Sequence, residues 1–127
     1  MAGITLNTDK APAAIGPYCH GKKCGNFIFT SGQIPLYPGT GEAETDVKKA
    51  AKLVLENVLA IVEEGGGTKA DIVKMEIFVR DLDDFAAINE VYAEFFGENK
   101  PARWLVQAAR MPGNAVLEAA ATAYIGD

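Results

Sequence analysis

The chain has 127 residues, of which 49% are hydrophobic and 23% charged, and its formal net charge is −5. Those values make one globular domain, residues 1–127, and disfavour a disordered chain or sequence-independent binding to nucleic acid or anionic membrane. No apolar run approaches the roughly eighteen residues of a membrane span, and Met1–Lys10 lacks the basic-then-apolar pattern of a secretory leader.

In chain order, Ile4–Leu6 reads as a short edge strand and Asn7–Gly16 as a loop. Tyr18–Lys23 and Phe27–Ser31 read as two strands around a Gly25-Asn26 turn, and Ile34–Gly41, with two prolines and two glycines, as a loop. Asp46–Glu64 is the clearest helix. Asp46 can cap it, and Ala50, Ala51, Val54, Leu55, Val58 and Val62 recur at helical spacing until Gly65-Gly66-Gly67 stops it. Asp71–Val79 reads as a strand with Met75, Ile77 and Val79 on one face. A second helix, capped by Asp83 or Asp84, runs to Phe96 and ends at Gly97. Its stripe is Phe85, Ile88, Val91, Tyr92 and Phe95. Trp104–Ala109 and Val116–Tyr124 are the last strands, joined through Met111–Asn114.

The order β-β-β-α-β-α-β-β sets two helices against about five or six strands, and two helices can cover only one face of such a sheet. The other face also needs cover. In the last strand Leu117, Ala119, Ala121 and Ala123 alternate with Glu118, Ala120, Thr122 and Tyr124, so neither side is properly polar. A second copy of the chain is the expected cover, giving a homo-oligomer with sheets packed face to face.

Several chemistries find few residues. The glycine triplet follows a helix instead of opening one, which is the wrong place for a phosphate loop. His20 is the one histidine, and with Cys19 and Cys24 it offers three metal ligands where structural zinc takes four at other spacings. No nucleophile-elbow motif accompanies it. Neither a metal site nor triad chemistry is therefore expected, and a cytoplasmic chain with free thiols is the default.

Two charged residues near the C-terminus stand out. Arg103 follows Lys100-Pro101-Ala102 at the start of a strand, where an arginine is either a solvated surface residue or a fork for an anion. Glu118 lies in an apolar strand, where a carboxylate is costly without a partner or a task. If the last two strands form a hairpin centred near Met111–Gly113, Glu118 faces a residue between Leu105 and Ala109. Opposite Leu105, it would share a face with Arg103 at roughly 7–8 Å. A later turn would leave the two too far apart within one chain.

The ordered motifs resemble a known family. They are Ala11–Tyr18, Thr30–Pro35, Asp71–Lys74 with Phe78-Val79 and Asp81-Leu82, Asn89–Tyr92, Phe95-Phe96, Pro101–Arg103, Ala109–Pro112 and Leu117-Glu118. Over nearly its whole length the chain is similar to the reactive intermediate deaminases, the RidA, YjgF or L-PSP group. The resemblance implies a chorismate-mutase-like α+β fold, a mostly antiparallel sheet of about six strands with two helices on one face. It also implies a homotrimer with three clefts between neighbours. The implied activity is cofactor-free hydrolysis of enamines and imines, such as 2-aminoacrylate and its imine tautomer, to 2-keto acids and ammonia.

By the same resemblance Arg103 holds the substrate carboxylate and Glu118 positions or activates water, while Tyr18, Ser31, Gly32 and Asn89 line the cleft. Leu105, counted with the cleft, stands where many deaminating members carry cysteine. Trp104 and Ala119 also depart from the common pattern, and Gly97–Lys100 is shorter than in many relatives. Two other activities fit the resemblance. One is a ribonuclease that represses translation, for which Lys22, Lys23, Lys48, Lys49 and Lys52 would supply the basic surface. The other is a binder of small carboxylates, or a chaperone, without turnover.

Overall fold

The computed structural model describes residues 3–126. Its strands are β1 (Ile4–Leu6), β2 (Gly21–Cys24), β3 (Phe27–Thr30), β4 (Ile72–Val79), β5 (Ala102–Gln107) and β6 (Leu117–Tyr124). Helix α1 spans Val47–Glu64 and α2 spans Phe85–Phe96. The element order is the one the hydrophobic patterning predicts.

Local chemistry sets the helix ends. Asp46 accepts a hydrogen bond from the Lys49 N–H at 3.1 Å, as its capping role requires. At the other end the Gly65 N–H reaches the Ile61 and Val62 carbonyls, and Gly66 takes a φ of +90°, which turns the chain away. Helix α2 starts differently from the expectation. Asp84 precedes it without a side-chain cap; the capping carboxylate is that of Asp81, which accepts from the Asp83 N–H at 2.9 Å in a short 3-10 turn feeding the helix.

The six strands form one sheet in the order β1-β2-β3-β6-β4-β5. All neighbours are antiparallel except β4 and β5, which run parallel with Ile77 beside Leu105 and Val79 beside Gln107. The last two strands do not form a hairpin, since β4 lies between them. Helix α2 returns the chain to the starting end of β4, so β5 joins β4 in parallel, the geometry of a β-α-β unit. The next segment then crosses the end of β4, where the Ala108 N–H reaches the Val79 carbonyl and the Arg80 N–H reaches that of Val116. That crossing delivers β6 to the far side of β4.

Both helices pack on one face of the sheet. Ile28, Met75, Ile77, Val79, Leu117 and the alanines of β6 meet Ala50, Ala51, Val54 and Val58 of α1 and Ile88, Tyr92 and Phe96 of α2. The alanines at 119, 121 and 123 are all buried, and their small side chains let α1 lie close to the central strand. On the opposite face Phe27, Phe29, Phe78, Val106 and Tyr124 are exposed. Phe27 and Tyr124 pack 4.9 Å apart between ring centroids, and Phe78 meets Trp104 edge-on at 5.1 Å. Among the described residues no helix is long and apolar enough to cross a membrane.

Candidate active site

Glu118 points to the face of the sheet that the helices leave open, beside its cross-strand neighbour Phe78. It is half-buried, and that desolvation raises its carboxyl above the ordinary value of 4.5. A two-way backbone bridge between Gln33 and Ala119 fixes the loop after β3 against β6. The bridge sets Gly32 directly against the Glu118 carboxylate. Tyr18, Ser31, Gly32 and Glu118 all line one cavity of about 350 Å³, whose wall continues through Pro12–Ile15. Ser31 gives its hydroxyl proton to the Cys19 carbonyl at 2.7 Å, so toward a ligand it presents lone pairs. The Tyr18 hydroxyl accepts from the Ile15 N–H at 3.3 Å and keeps its own proton for a further acceptor.

Arg103 belongs to a second group. Its strand neighbour Met75 faces the helices, so Arg103 does too, at the sheet edge formed by β5. Its guanidinium carbon lies 4.7 Å from the Tyr92 ring centroid and 5.9 Å from that of Phe85. Among the described residues it has no acidic partner. Asn89 falls on the same side of α2, four residues after Phe85 and three before Tyr92. Leu105, two residues on from Arg103, likewise faces the helices and packs on the core.

Arg103 and Glu118 are therefore not diagonal neighbours on one face. The strand β4 lies between theirs, and they project from opposite sides of the sheet. The sequence-predicted residues divide into two sets, Tyr18, Ser31, Gly32 and Glu118 in one, Asn89, Arg103 and Leu105 in the other.

Sequence reasoning missed the groups that hold the first set in place. His20 is not on a strand and is not a candidate base here. It is 5% exposed and precedes β2, with its Nδ1 accepting from the Thr8 N–H at 3.0 Å and its Nε2 at 2.7 Å from the Pro12 carbonyl. Both ring nitrogens thus pin the cavity-lining loop. Asn57, 2% exposed within the apolar stripe of α1, donates to the Leu36 carbonyl at 2.9 Å and ties the other wall of the cavity to the helix. A polar residue in an apolar stripe was the available signal for Asn57; nothing local marks His20.

The lysines do not make one patch. Lys48, Lys49 and Lys52 join Lys69 around a groove of about 400 Å³ between the helices, where Lys48 is paired with Glu90 at 2.8 Å. Lys22 and Lys23 lie apart on β2, and Lys22 donates to the Thr5 hydroxyl.

The fold is that of the RidA proteins. RidA from the Antarctic bacterium Psychrobacter sp. PAMC 21119 superposes with a TM-score of 0.93 at 43% identity, over 96% of this chain and 99% of that one. Escherichia coli TdcF, solved with bound serine, gives 0.94 at 49% identity, over 97% and 99%. The chain belongs to the family whose model is described as endoribonuclease L-PSP, matched over residues 8–125, the RidA, YjgF or L-PSP group. The 2-iminobutanoate/2-iminopropanoate deaminase of E. coli (strain K12) is 50% identical over 122 residues, 94% of this chain and 95% of that protein. That kinship makes the chain a deaminase-like hydrolase.

Proposed function

We propose that the protein hydrolyses 2-imino acids, the tautomers of enamines such as 2-aminoacrylate, to 2-keto acids and ammonia. The site is built from two copies of the chain in a cytoplasmic homotrimer, Arg103 with Asn89 and Leu105 from one and the Glu118 cavity from its neighbour. The observation that carries this reading is the arginine itself, half-buried and without an acidic partner among the described residues, while its expected companion sits on the other face of the sheet. The exposed aromatic face supplies the surface for a second copy. The deaminase relative and the serine-bound TdcF support a small ligand that carries a carboxylate.

A guanidinium fork takes a carboxylate through two parallel hydrogen bonds. The imine carbon is already electrophilic. Water adds to it while Glu118 takes the water proton and passes it to the imine nitrogen, giving a carbinolamine. Glu118 then takes the carbinolamine hydroxyl proton and passes it to the amino nitrogen, so the C–N bond breaks and ammonia leaves as the carbonyl forms. The raised carboxyl suits a group that must both take and give a proton. The chemistry calls for no metal or cofactor, because nothing is oxidised and no stable bond needs activation.

The test generates imines in situ with an amino-acid oxidase or dehydratase and follows keto-acid or ammonia release. The protein should accelerate release, and Arg103→Ala should abolish the acceleration. No acceleration with any imine, in an intact assembly, refutes the reading and leaves a carboxylate binder. A ribonuclease has the family description and the Lys48–Lys69 groove in its favour. RNA cleavage that survives extensive purification and vanishes with one point substitution would establish it.

A further inference from the structure

The reading of Arg103 as the carboxylate fork leaves open what holds the fork still. A long arginine side chain is free to adopt many rotamers, and a site that must catch a small anion gains from having that freedom removed beforehand. Elsewhere in proteins a carboxylate commonly orients an arginine. Here that solution would be self-defeating, because the carboxylate would occupy the same N–H edge that the substrate needs.

The structure offers another support. The Tyr92 ring lies under the guanidinium, with Cζ 4.7 Å from its centroid, and Phe85 stands 5.9 Å off on the same side of α2. An aromatic ring engages the face of the guanidinium and leaves its edge donors free. Tyr92 is itself immobilised. It is 6% exposed and packs on Phe96 at 4.7 Å, and Phe96 in turn meets Phe95 edge-on at 5.0 Å. Phe85, by contrast, is 43% exposed and forms the outer lip.

One further feature marks Tyr92. Its hydroxyl is buried without a hydrogen-bond partner among the described residues. Burial raises its pKa and the Arg103 charge lowers it, the former being the larger effect. The hydroxyl therefore does nothing visible for the fold, and the ring is what contacts Arg103.

We propose that Tyr92 is a positioning residue for the deaminase reaction, whose ring face fixes the Arg103 guanidinium so that its N–H edge stands ready for the substrate carboxylate. Phe85 assists from the exposed side. The claim rests on the reading of Arg103 given above, and the experiment separates the two.

Steady-state kinetics with an imine made in situ, and calorimetry with 2-oxobutanoate as probe, are measured for wild type, Tyr92→Leu, Tyr92→Phe, Phe85→Leu and Arg103→Ala. Tyr92→Leu keeps an apolar side chain but loses the ring, and should raise KM and the probe's Kd about tenfold with kcat within about twofold. Tyr92→Phe restores the ring and should recover near-wild-type KM. In NMR spectra the Arg103 Hδ protons should be shifted upfield by the ring in wild type and Tyr92→Phe, and return to ordinary values in Tyr92→Leu. Should Tyr92→Leu fail to fold, Phe85→Leu decides, with an expected rise in KM of about threefold.

The proposal is overturned by a folded Tyr92→Leu that binds and turns over as wild type, by one that loses kcat alone, or by a Tyr92→Phe as damaged as Tyr92→Leu. With Tyr92→Leu unfolded, an unchanged KM in Phe85→Leu overturns it. Loss of probe binding in Arg103→Ala beside an unaffected Tyr92→Leu removes the positioning role alone. Unchanged binding in Arg103→Ala removes the underlying reading, and this proposal with it.

Discussion

Gly32 owes its lack of a side chain to Glu118: a Cβ at that position would lie 2.9 Å from Oε2 and 3.1 Å from Cδ of the glutamate. The contact is steric, and it sets where the carboxylate can stand. The neighbouring Gln33–Ala119 bridge prevents the loop from backing away. Gly32→Ala should therefore push the carboxylate aside and leave the sheet intact. Turnover of imines should fall about 10- to 100-fold, with an unchanged circular dichroism spectrum; undiminished kcat would show that the carboxylate's position does not matter.

Glu118→Gln separates chemistry from stability. The isosteric amide can neither take nor give the proton, so kcat should drop by about two to four orders of magnitude. Stability should move the other way. Burial raises the folded carboxyl above 4.5, so below that pH both states are protonated and the group contributes nothing. Above it the unfolded chain ionises first and folding is disfavoured, fully so once the pH passes the folded value. At neutral pH Glu118→Gln should be the more stable protein. Screening of this half-exposed group keeps the gain below about 1 kcal/mol. Thermal melts at pH 7 and pH 4 test the sign, and a lower melting temperature for Glu118→Gln at pH 7 would contradict it.

Because Arg103 and Glu118 face opposite ways, a site made between copies can be rescued by mixing. Arg103→Ala chains retain the glutamate and Glu118→Gln chains retain the arginine. Co-refolded in equal amounts, they should regain activity up to about one quarter of wild type, the random fraction of sites that draw each intact residue from the right neighbour. Each variant alone should stay inactive. No recovery in verified mixed assemblies would place both residues of a working site on one chain.

Asn57 gives a stability test away from the chemistry. Asn57→Leu keeps the branched shape of the side chain but leaves the part-buried Leu36 carbonyl without its donor, at a cost of about 1–3 kcal/mol in chemical denaturation. The lost tie is to a wall of the Glu118 cavity. Amide hydrogen exchange in the segment around Leu36 should therefore quicken more than in β4. Uniform exchange would mean that the asparagine serves α1 alone.

How much of this was legible in the sequence depended on range. Helix α1 and strands β4 and β6 announce themselves through period and caps, because those signals are local. The partner of β5 had a signal of its own: a strand, a helix and a strand in succession is the pattern of a parallel pair. A hairpin of Trp104–Ala109 with Val116–Tyr124 that set Glu118 opposite Leu105 would put Arg103 and Glu118 on one face, and the order of strands in the sheet separates them. The Asp81 cap was missed for a smaller reason, a 3-10 turn inserted before α2. The place of Asn57 in an apolar stripe marks it, but its partner and those of His20 have no local signal, since they lie 8 to 21 residues away and depend on the folded loop.

The parallel β4–β5 pair has one more consequence. The arginine and its aromatic support travel together on the β4-α2-β5 unit, while the glutamate and its cavity belong to β6 and the loops around β2 and β3. Residues 97–101 alone join α2 to β5, so a change of length there falls within the first group and outside the second. On the proposed reading, grip and chemistry would then belong to separate stretches of the chain, so that what is grasped could change while the hydrolysis stayed the same.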